Sequence, residues 1–407
     1  MTRHSGRWDP VRQSLPESPF LTPMHLPDPI SLIESLERAG ARIVIVSTGG
    51  GSAAISHLVS TPGASAVVLE AAIPYAREAV DRLLGGPQET YCSSRAARRL
   101  AMAAWQRARA LGAAPEQAVG IAVAASLRTR QPKRGEHRLF VALQTLRATT
   151  VASLVLEKEA RSRAEEEEVA ATLLLECLAS VPTVPPPAVL MAGRLRAGEK
   201  VAIEQAAAPE PWQALLAGTR TAVLAVGAET VPVGDQLIFP GSFDPLHDGH
   251  RLMARIAEEI AERPLAYELS IANVDKPALD YQEIAARAAQ FRGQTLWFTR
   301  AATFVEKLAI FPQSTFVMGA DTFVRLAEPK YYGGSQEAAD RAVRTIAEHA
   351  RGLIVFGRAR EGVFEEPATL PAPEPLRRIA YFVSQREFRI DISSTALRRE
   401  QLACEPG

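Results

Sequence analysis

The chain has 407 residues, more than one ordinary hydrophobic core holds, so its length predicts two domains. Apolar residues make up 47% of it and charged residues 23%, a composition typical of globular proteins. The 46 basic residues balance the 46 acidic ones, so no net field attracts nucleic acid or an anionic membrane, and an anionic ligand must be held by local features.

The cysteines and the apolar runs favour a reducing, aqueous compartment. The three cysteines, Cys92, Cys177 and Cys404, have no spacing that indicates zinc or a disulfide framework. No segment approaches the roughly 18 consecutive apolar residues of a membrane helix. The first 28 residues lack the apolar core of a secretory signal. We therefore expect a cytoplasmic protein in which residues 1–28 form a disordered tail.

Helix and strand patterns alternate over residues 29–180, which predicts an α/β layer domain. The predicted helices are Ile30–Ala39, Ser52–Ser60, Arg95–Leu111 and Ala160–Leu178. The predicted strands are Ala41–Ser47, Ala66–Leu69, Ala118–Ala125, Arg138–Leu143 and Thr150–Leu156. A short polar turn separates the last two strands and predicts an antiparallel pair in a mixed sheet. We expect Glu165–Glu168 to be a solvated helix face rather than a metal site.

A proline-rich run, Val181–Ala188, ends this domain because proline cannot continue a helix. Residues 181–235 are predicted to be a linker and connecting segment, although Thr221–Val226 has the pattern of a strand that either domain could include. A second βαβ series is predicted over residues 236–407. Its strands are Leu237–Phe239, Tyr267–Ile271, Thr295–Thr299, Thr315–Met318, Gly352–Phe356 and Ile379–Phe382. This order predicts a Rossmann-like doubly wound sheet with its site at the carboxyl ends of the strands.

The segment Leu237–His250 has the clearest chemical pattern, a buried strand followed by a glycine turn and a helix. Gly241 and Ser242 form a turn whose backbone can approach a ligand closely. His247 and His250 lie at the start of the helix, where free amides and the helix dipole favour an anion. Two imidazoles three residues apart can both reach one phosphate.

A second segment, Phe316–Phe323, predicts the carboxyl end of a strand, where Gly319 and Asp321 lie. A carboxylate at a strand's carboxyl end is well placed to accept hydrogen bonds from a ribose. The same carboxylate could also be the N-cap of the next helix, which is compatible with that role.

A third segment, Asp391–Arg398, predicts another helix N-terminus close to the end of the chain. Its hydroxyls, on Ser393, Ser394 and Thr395, can bind phosphate together with the backbone amides. Arg398 adds a guanidinium suited to phosphate.

These three segments, in this order, resemble the HxGH nucleotidylyltransferase superfamily over about residues 237–399, and in particular the nicotinamide or nicotinate mononucleotide adenylyltransferases. The resemblance implies transfer of AMP from ATP to a pyridine mononucleotide with release of pyrophosphate, in NAD biosynthesis or salvage. It implies Mg²⁺ that arrives with the triphosphate rather than a metal site of the protein. The implied catalytic residues are His247, His250 and Arg398.

The same resemblance implies the substrate contacts. The residues implied for the phosphates are Gly241, Ser242, Phe243, Ser393, Ser394 and Thr395, and those for the nucleoside are Gly319 and Asp321. Lys276 and Thr303 resemble an acceptor-side lysine and a threonine beside the pyridine ring. A loop charge and a helix cap are the equal alternatives for these two residues.

Residues 29–180 resemble the C-terminal domain of the CinA competence-damage family, whose active members deamidate nicotinamide mononucleotide. The resemblance rests on Ser47–Gly50, Pro62–Ser65 and Ile73–Ala76. The family's Glu-Ser-Cys-Thr-Gly-Gly turn is replaced here by Ile45-Val-Ser-Thr-Gly-Gly50, and its nucleotide loop has lost a glycine and a proline at Gly120–Ala124. We expect a domain that has lost deamidase activity and serves assembly or regulation. Its possible residual site residues are Ser47, Thr48 and Tyr75.

Several alternatives remain open at this point. The chain could be a bifunctional deamidase and adenylyltransferase, a nucleotidylyltransferase that uses another acceptor or CTP, or a non-catalytic nucleotide-binding sensor. The intact histidines and Arg398 argue against the sensor, because binding alone does not need all three. The expected partners are ATP and a small phosphorylated acceptor, without nucleic acid or membrane, and we expect a homo-oligomer.

Overall fold

The computed structural model describes residues 28–181, 191, 193–227, 234–360 and 363–388. Six strands form a first sheet: β1 Arg42–Thr48, β2 Val68–Ala72, β3 Ala118–Ser126, β4 His137–Gln144, β5 Ala148–Leu156 and β6 Ala202–Ala207. The helices of this region are α1 Pro29–Arg38, α2 Ala53–Val59, α3 Arg77–Leu84, α4 Ser94–Ala110 and α5 Arg163–Ala179.

The first sheet is mixed, with the order β2-β1-β3-β4-β5-β6. Its first three strands are parallel, and β3 to β6 are antiparallel neighbours. The five central residues of β1 are all buried, as expected for a parallel strand covered on both faces. The predicted antiparallel pair is confirmed as β4 and β5. Strand β2 begins two residues later than predicted.

The second half of the chain contains α6 Glu210–Ala217, α7 Asp248–Ala261, α8 Tyr281–Ala288, α9 Phe304–Ile310, α10 Ala320–Arg325, α11 Gln336–His349 and α12 Glu374–Arg378. Its strands are β7 Ala222–Val226, β8 Leu237–Pro240, β9 Leu265–Ser270, β10 Thr295–Thr299, β11 Thr315–Gly319, β12 Gly352–Phe356, β13 Arg358–Arg360, β14 Val363–Glu365 and β15 Ala380–Val383. Strands β13 and β14 form a separate hairpin.

The second sheet has the order β15-β12-β11-β8-β9-β10-β7. All neighbours are parallel except β7, which pairs antiparallel with β10 at the edge. The chain leaves β8 through β9 and β10 on one side and returns to β11, β12 and β15 on the other. This is the doubly wound order, and the crevice at which the order reverses lies between β8 and β11. Those two strands pair only at Leu237 and Ile238, so their carboxyl ends diverge.

The predicted linker over residues 181–235 contributes an edge strand to each sheet. Strand β6 pairs with β5 in the first sheet, and β7 pairs with β10 in the second. One hydrophobic cluster extends through both halves of the chain. The buried Tyr281 of α8 joins them, because its hydroxyl donates to the Leu146 carbonyl at 2.7 Å and its amide donates to Thr149 Oγ1 at 3.0 Å. The two domains are therefore packed together rather than tethered.

The expectation that Glu165–Glu168 form a solvated face of α5 is wrong for two of these four residues. Glu166 is fully buried and contacts His137 Nδ1 at 2.6 Å. Glu167 accepts a hydrogen bond from Ser52 Oγ at 2.8 Å. Their partners come from β4 and the start of α2, which the spacing within a helix cannot reveal. No helix among the described residues is long and apolar enough to cross a membrane.

Candidate active site

The two histidines of the Leu237–His250 segment lie where the sequence predicts them, at the start of α7. His247 is the N-cap, with extended backbone, and His250 lies in the first turn. Their imidazole rings stack, with centroids 3.8 Å apart and planes 27° apart. Residues 241–246 connect β8 to the pair, which lies at the mouth of the β8–β11 crevice. The free amides of a helix N-terminus and two imidazoles therefore meet at one point.

His250 is held as a neutral imidazole. Burial, with a smaller contribution from the neighbouring His247, lowers its pKa to about 3. Its Nδ1 accepts the His247 backbone N–H at 3.3 Å, so the ring proton of the neutral form is on Nε2. Burial also lowers the pKa of His247, an effect that Asp248 partly offsets. At neutral pH both rings can donate a hydrogen bond without carrying a charge.

Phe243 shapes the turn that precedes the helix. It adopts a positive φ of 45°, and its ring packs edge-on against Phe239 and His250 with centroids 5.5 and 5.2 Å away. A Cβ on Gly241 would lie 2.5 Å from this ring, so only glycine fits there. Phe243, implied as a phosphate contact, is 1% exposed, so its main role is to pack against the ring of His250.

A cavity of about 1360 Å³ opens from the histidines along the carboxyl ends of the second sheet. Both domains line it. The N-terminal domain contributes the segment before α4, the first turns of α4 and part of β4. Nine of the lining residues are Arg or Lys and five are Asp or Glu, so the walls carry an excess of positive charge although the chain is neutral. This local excess suits an anionic ligand.

The predicted nucleoside side lies across the crevice from the histidines. Gly319 ends β11 and lines the cavity, and a Cβ built on it meets nothing within 4 Å. Asp321 also lines the cavity and forms an ion pair with Arg358 of β13. Gly319, not Asp321, is the N-cap of α10, so the carboxylate is not used as a helix cap.

The two residues predicted on the acceptor side, Lys276 and Thr303, differ in whether they line the cavity. Lys276 is exposed on the loop between β9 and α8 and lines the cavity. Thr303 is the N-cap of α9, where its hydroxyl accepts from the Glu306 amide in a capping box. Thr303 is not among the cavity-lining residues, although its neighbours Ala302 and Phe304 are. For Thr303 the structure therefore shows the helix cap.

The phosphate residues predicted near the C-terminus, Ser393, Ser394, Thr395 and Arg398, lie outside the described residues. Of the possible N-terminal site, Ser47 is 1% exposed and donates to the Gly50 carbonyl at 2.8 Å. Tyr75 is 77% exposed. Neither these two residues nor Thr48 line the cavity beside the histidines.

The arginines that α4 brings to the cavity were not predicted from the sequence. Arg95 bonds to Asp244 of the Gly-Ser-Phe-Asp-Pro turn at 2.6 Å, and Arg98 bonds to both carboxylate oxygens of Asp280 at 3.1 Å. Arg99 lies beside them. Their spacing of three and four residues on one helix face was the available signal, but it does not reveal what they face.

In the described ranges, no group of three or more His, Cys, Asp and Glu could hold a metal ion. Lys307 also lines the cavity, but its ammonium donates to both oxygens of the buried Glu268 at 2.9 and 2.8 Å, so its charge is already compensated.

Comparison with known proteins gives one family match and a set of distant structural neighbours. Residues 238–400 match the family described as cytidylyltransferase-like. No curated protein sequence matches the chain. Competence-damage proteins are among the similar solved structures, and their match covers the N-terminal part of the chain.

Three of these structures illustrate how distant the likeness is. A competence/damage inducible protein from Agrobacterium tumefaciens is 19% identical, with 39% of this chain and 98% of that chain covered and a TM-score of 0.30. A competence damage-inducible protein from Klebsiella pneumoniae subsp. pneumoniae is 16% identical, with 38% and 96% covered and a TM-score of 0.32. A CinA superfamily protein from Enterobacter cloacae is 15% identical, with 42% and 100% covered and a TM-score of 0.33.

The predicted nucleotidylyltransferase resemblance is thus confirmed for the part of the chain that holds the stacked histidines. Residues 238–400 form a cytidylyltransferase-like domain, and this domain supports a nucleotidyltransferase activity on nucleotide-type substrates.

Proposed function

We propose that this protein transfers AMP from ATP to nicotinamide or nicotinate mononucleotide and releases pyrophosphate, a step of NAD biosynthesis or salvage. The observation that carries the proposal is the stacked pair of neutral imidazoles, His247 and His250, at the mouth of a positively lined crevice. A triphosphate is the ligand whose charge and length suit a helix N-terminus that opens into such a cavity.

In the proposed reaction, an oxygen of the acceptor's phosphate attacks the α-phosphorus of ATP. The new P–O bond forms as the bond from that phosphorus to the α,β-bridging oxygen breaks, and pyrophosphate leaves with the electron pair. No nucleophilic side chain is required, so positioning and stabilisation of charge supply the catalysis.

His250 has a defined part in this reaction. Its Nε2–H would donate to a non-bridging oxygen of the α-phosphate, where negative charge increases in the transition state. Because the ring is fixed by Phe239, Phe243 and the His247 amide, little reorganisation is needed when that charge develops. The proposal includes Mg²⁺ bound to the triphosphate, and it keeps Ser393, Ser394, Thr395 and Arg398 as phosphate contacts.

The proposal assigns no deamidation to the N-terminal domain. In support, Ser47 is buried and donates to a backbone carbonyl, Tyr75 is exposed, and the carboxylate of Glu167 occupies the amide end of α2. A phosphate would have to displace that carboxylate. The proposal also includes a homo-oligomer, which light scattering of the full chain would test.

The test is a pyrophosphate-release assay on the full chain with Mg²⁺. ATP and CTP are each paired with nicotinamide mononucleotide, nicotinate mononucleotide and pantetheine phosphate. The expected result is release with ATP and a pyridine mononucleotide. Faster release with CTP or with pantetheine phosphate would move the assignment to another nucleotidylyltransferase, and no release from any pair would reject transfer. Ammonia release from nicotinamide mononucleotide would show that deamidation persists.

A further inference from the structure

Most positively charged side chains of the cavity are neutralised by carboxylates of the protein. Arg95 and Arg287 contact Asp244 and Glu283, and Arg98 contacts Asp280. Three cavity-lining cations have no carboxylate within 4.0 Å among the described residues: Arg99, Lys276 and Arg325. Of these three, only Arg99 belongs to the N-terminal domain.

In the described ranges, the hydrogen-bond partners of Arg99 are neutral oxygens. Its guanidinium donates to Gln88 Oε1 and to the Leu84 carbonyl at 3.3 Å. Burial and the neighbouring Arg95 lower its pKa, and Glu283 and Glu89 only partly offset them. A half-buried cation in this position gains from an anionic partner, since its own surroundings disfavour its charge.

Arg99 and the loop that carries Lys276 both contact the end of α3, at the interface of the two domains. Leu84, which accepts from Arg99, is followed by Gly85 with φ of 70° at the end of α3. A Cβ on Gly85 would lie 1.6 Å from the Asp275 carbonyl oxygen and 3.3 Å from Lys276 Cα. The end of α3 therefore lies directly against the loop that carries Lys276, and Arg99 and Lys276 line the same cavity.

We propose that Arg99 of the N-terminal domain, together with Lys276, binds the phosphate group of the acceptor nucleotide. This inference rests on the proposed function, because it concerns the acceptor of the same site. It gives the N-terminal domain a direct role in the transfer, since the acceptor subsite is incomplete without α4. The neighbouring arginines, Arg95, Arg98 and Arg287, are paired with carboxylates, whereas Arg99 supplies an uncompensated positive charge from α4.

The test separates recognition of the phosphate from general folding. Calorimetric titration of the full chain would use nicotinamide mononucleotide and nicotinate mononucleotide, each compared with its riboside, which lacks the phosphate. The variants are Arg99→Ala and Arg99→Lys. The matched control is Arg107→Ala, because Arg107 lies on the same helix, is 52% exposed, pairs with Glu70 and does not line the cavity.

We expect Arg99→Ala to weaken mononucleotide binding by roughly 10- to 100-fold, the loss of one charge-assisted hydrogen bond, and to leave riboside binding unchanged. Arg99→Lys should recover part of the loss, Arg107→Ala should bind like the wild type, and the KM for ATP should not change. An equal effect on mononucleotide and riboside, no effect on either, or no mononucleotide binding by the wild type would overturn the inference.

The proposed function fails in a different way. If the wild type releases pyrophosphate with a mononucleotide and Arg99→Ala does so with an unchanged KM for that acceptor, the transfer stands and the role of Arg99 is rejected. If no acceptor supports pyrophosphate release, the transfer is rejected, and the calorimetric comparison still decides whether Arg99 recognises a phosphate.

Discussion

Both domains contain a parallel strand, a glycine-containing turn and a helix in succession, yet the groups that lie against the start of the helix differ between the two. After β1, the start of α2 is covered by the protein's own carboxylate, because Glu167 accepts from Ser52 Oγ at 2.8 Å and from the Ala53 amide at 3.3 Å. After β8, the start of α7 presents His247 and His250 to open space. A glycine turn before a helix is therefore not sufficient for an anion site. The free backbone amides at the start of the helix must also be unoccupied by other groups of the protein.

The largest expected effect concerns the turn after β8, which we call the open turn; the turn after β1 is the closed turn. Replacing His250 by alanine removes a preorganised donor to the α-phosphate and should lower kcat by roughly 10²- to 10³-fold. The measurement is the pyrophosphate-release rate at saturating substrates. Ser47→Ala is the matched change at the closed turn and should leave kcat unchanged. Comparable losses in the two variants would mean that the two turns do not differ in the way proposed.

A smaller effect is expected at the closed turn, and it should appear in stability. Glu167→Ala removes the carboxylate that covers α2 and that pairs with Arg163 at 3.0 Å. The loss of these charge-assisted hydrogen bonds should reduce the free energy of unfolding by about 1.5–3 kcal/mol, measured by urea titration. Glu168→Ala, at the exposed next position, should change it by less than about 0.5 kcal/mol. A lower kcat in folded Glu167→Ala would contradict a purely structural role.

The smallest expected effect is a pH dependence that arises from His250. The pKa of its imidazole is about 3 in the folded protein and 6.5 for a free histidine side chain, so the unfolded chain takes up the proton first. The contribution of the neutral His250 ring to the free energy of unfolding is therefore complete above pH 6.5. It decreases as the pH falls from 6.5 toward 3, by at most about 1.4 kcal/mol per pH unit. Between about pH 7 and about pH 5, the wild type should lose about 1–2 kcal/mol more than His250→Gln. Equal losses would show that His250 already carries a proton at the lower pH.

Pattern alone predicted the strands with little error, because a buried strand is defined by its own residues. The bounds of β10 and β12 are as predicted, and the βαβ order predicted the doubly wound sheet. The placement of His247 and His250 at the start of α7 was predicted for the same reason, since it follows from one continuous segment. The two edge strands in the predicted linker show where this fails. Strand β7 had a visible apolar pattern, whereas β6 consists of exposed and partly buried residues without regular alternation.

Side-chain partners from distant segments could not be predicted. The Glu165–Glu168 run was expected to be solvated, but Glu166 is buried against His137 and contacts the Arg128 amide. The amphipathic pattern of α4 indicated a helix that covers a sheet, and gave no sign that its first turns line the cavity beside His247 and His250.

The sequence by itself determined where the strand, the glycine turn and the helix start lie, because these three features are consecutive in the chain. The tertiary structure decided which turn is closed, which is open and what lines the open one. Ser52 and Glu167 are 115 positions apart, and Arg95 and Asp244 are 149 apart. Contacts over such separations depend on how the two sheets and their helices pack, which no local pattern of residues specifies.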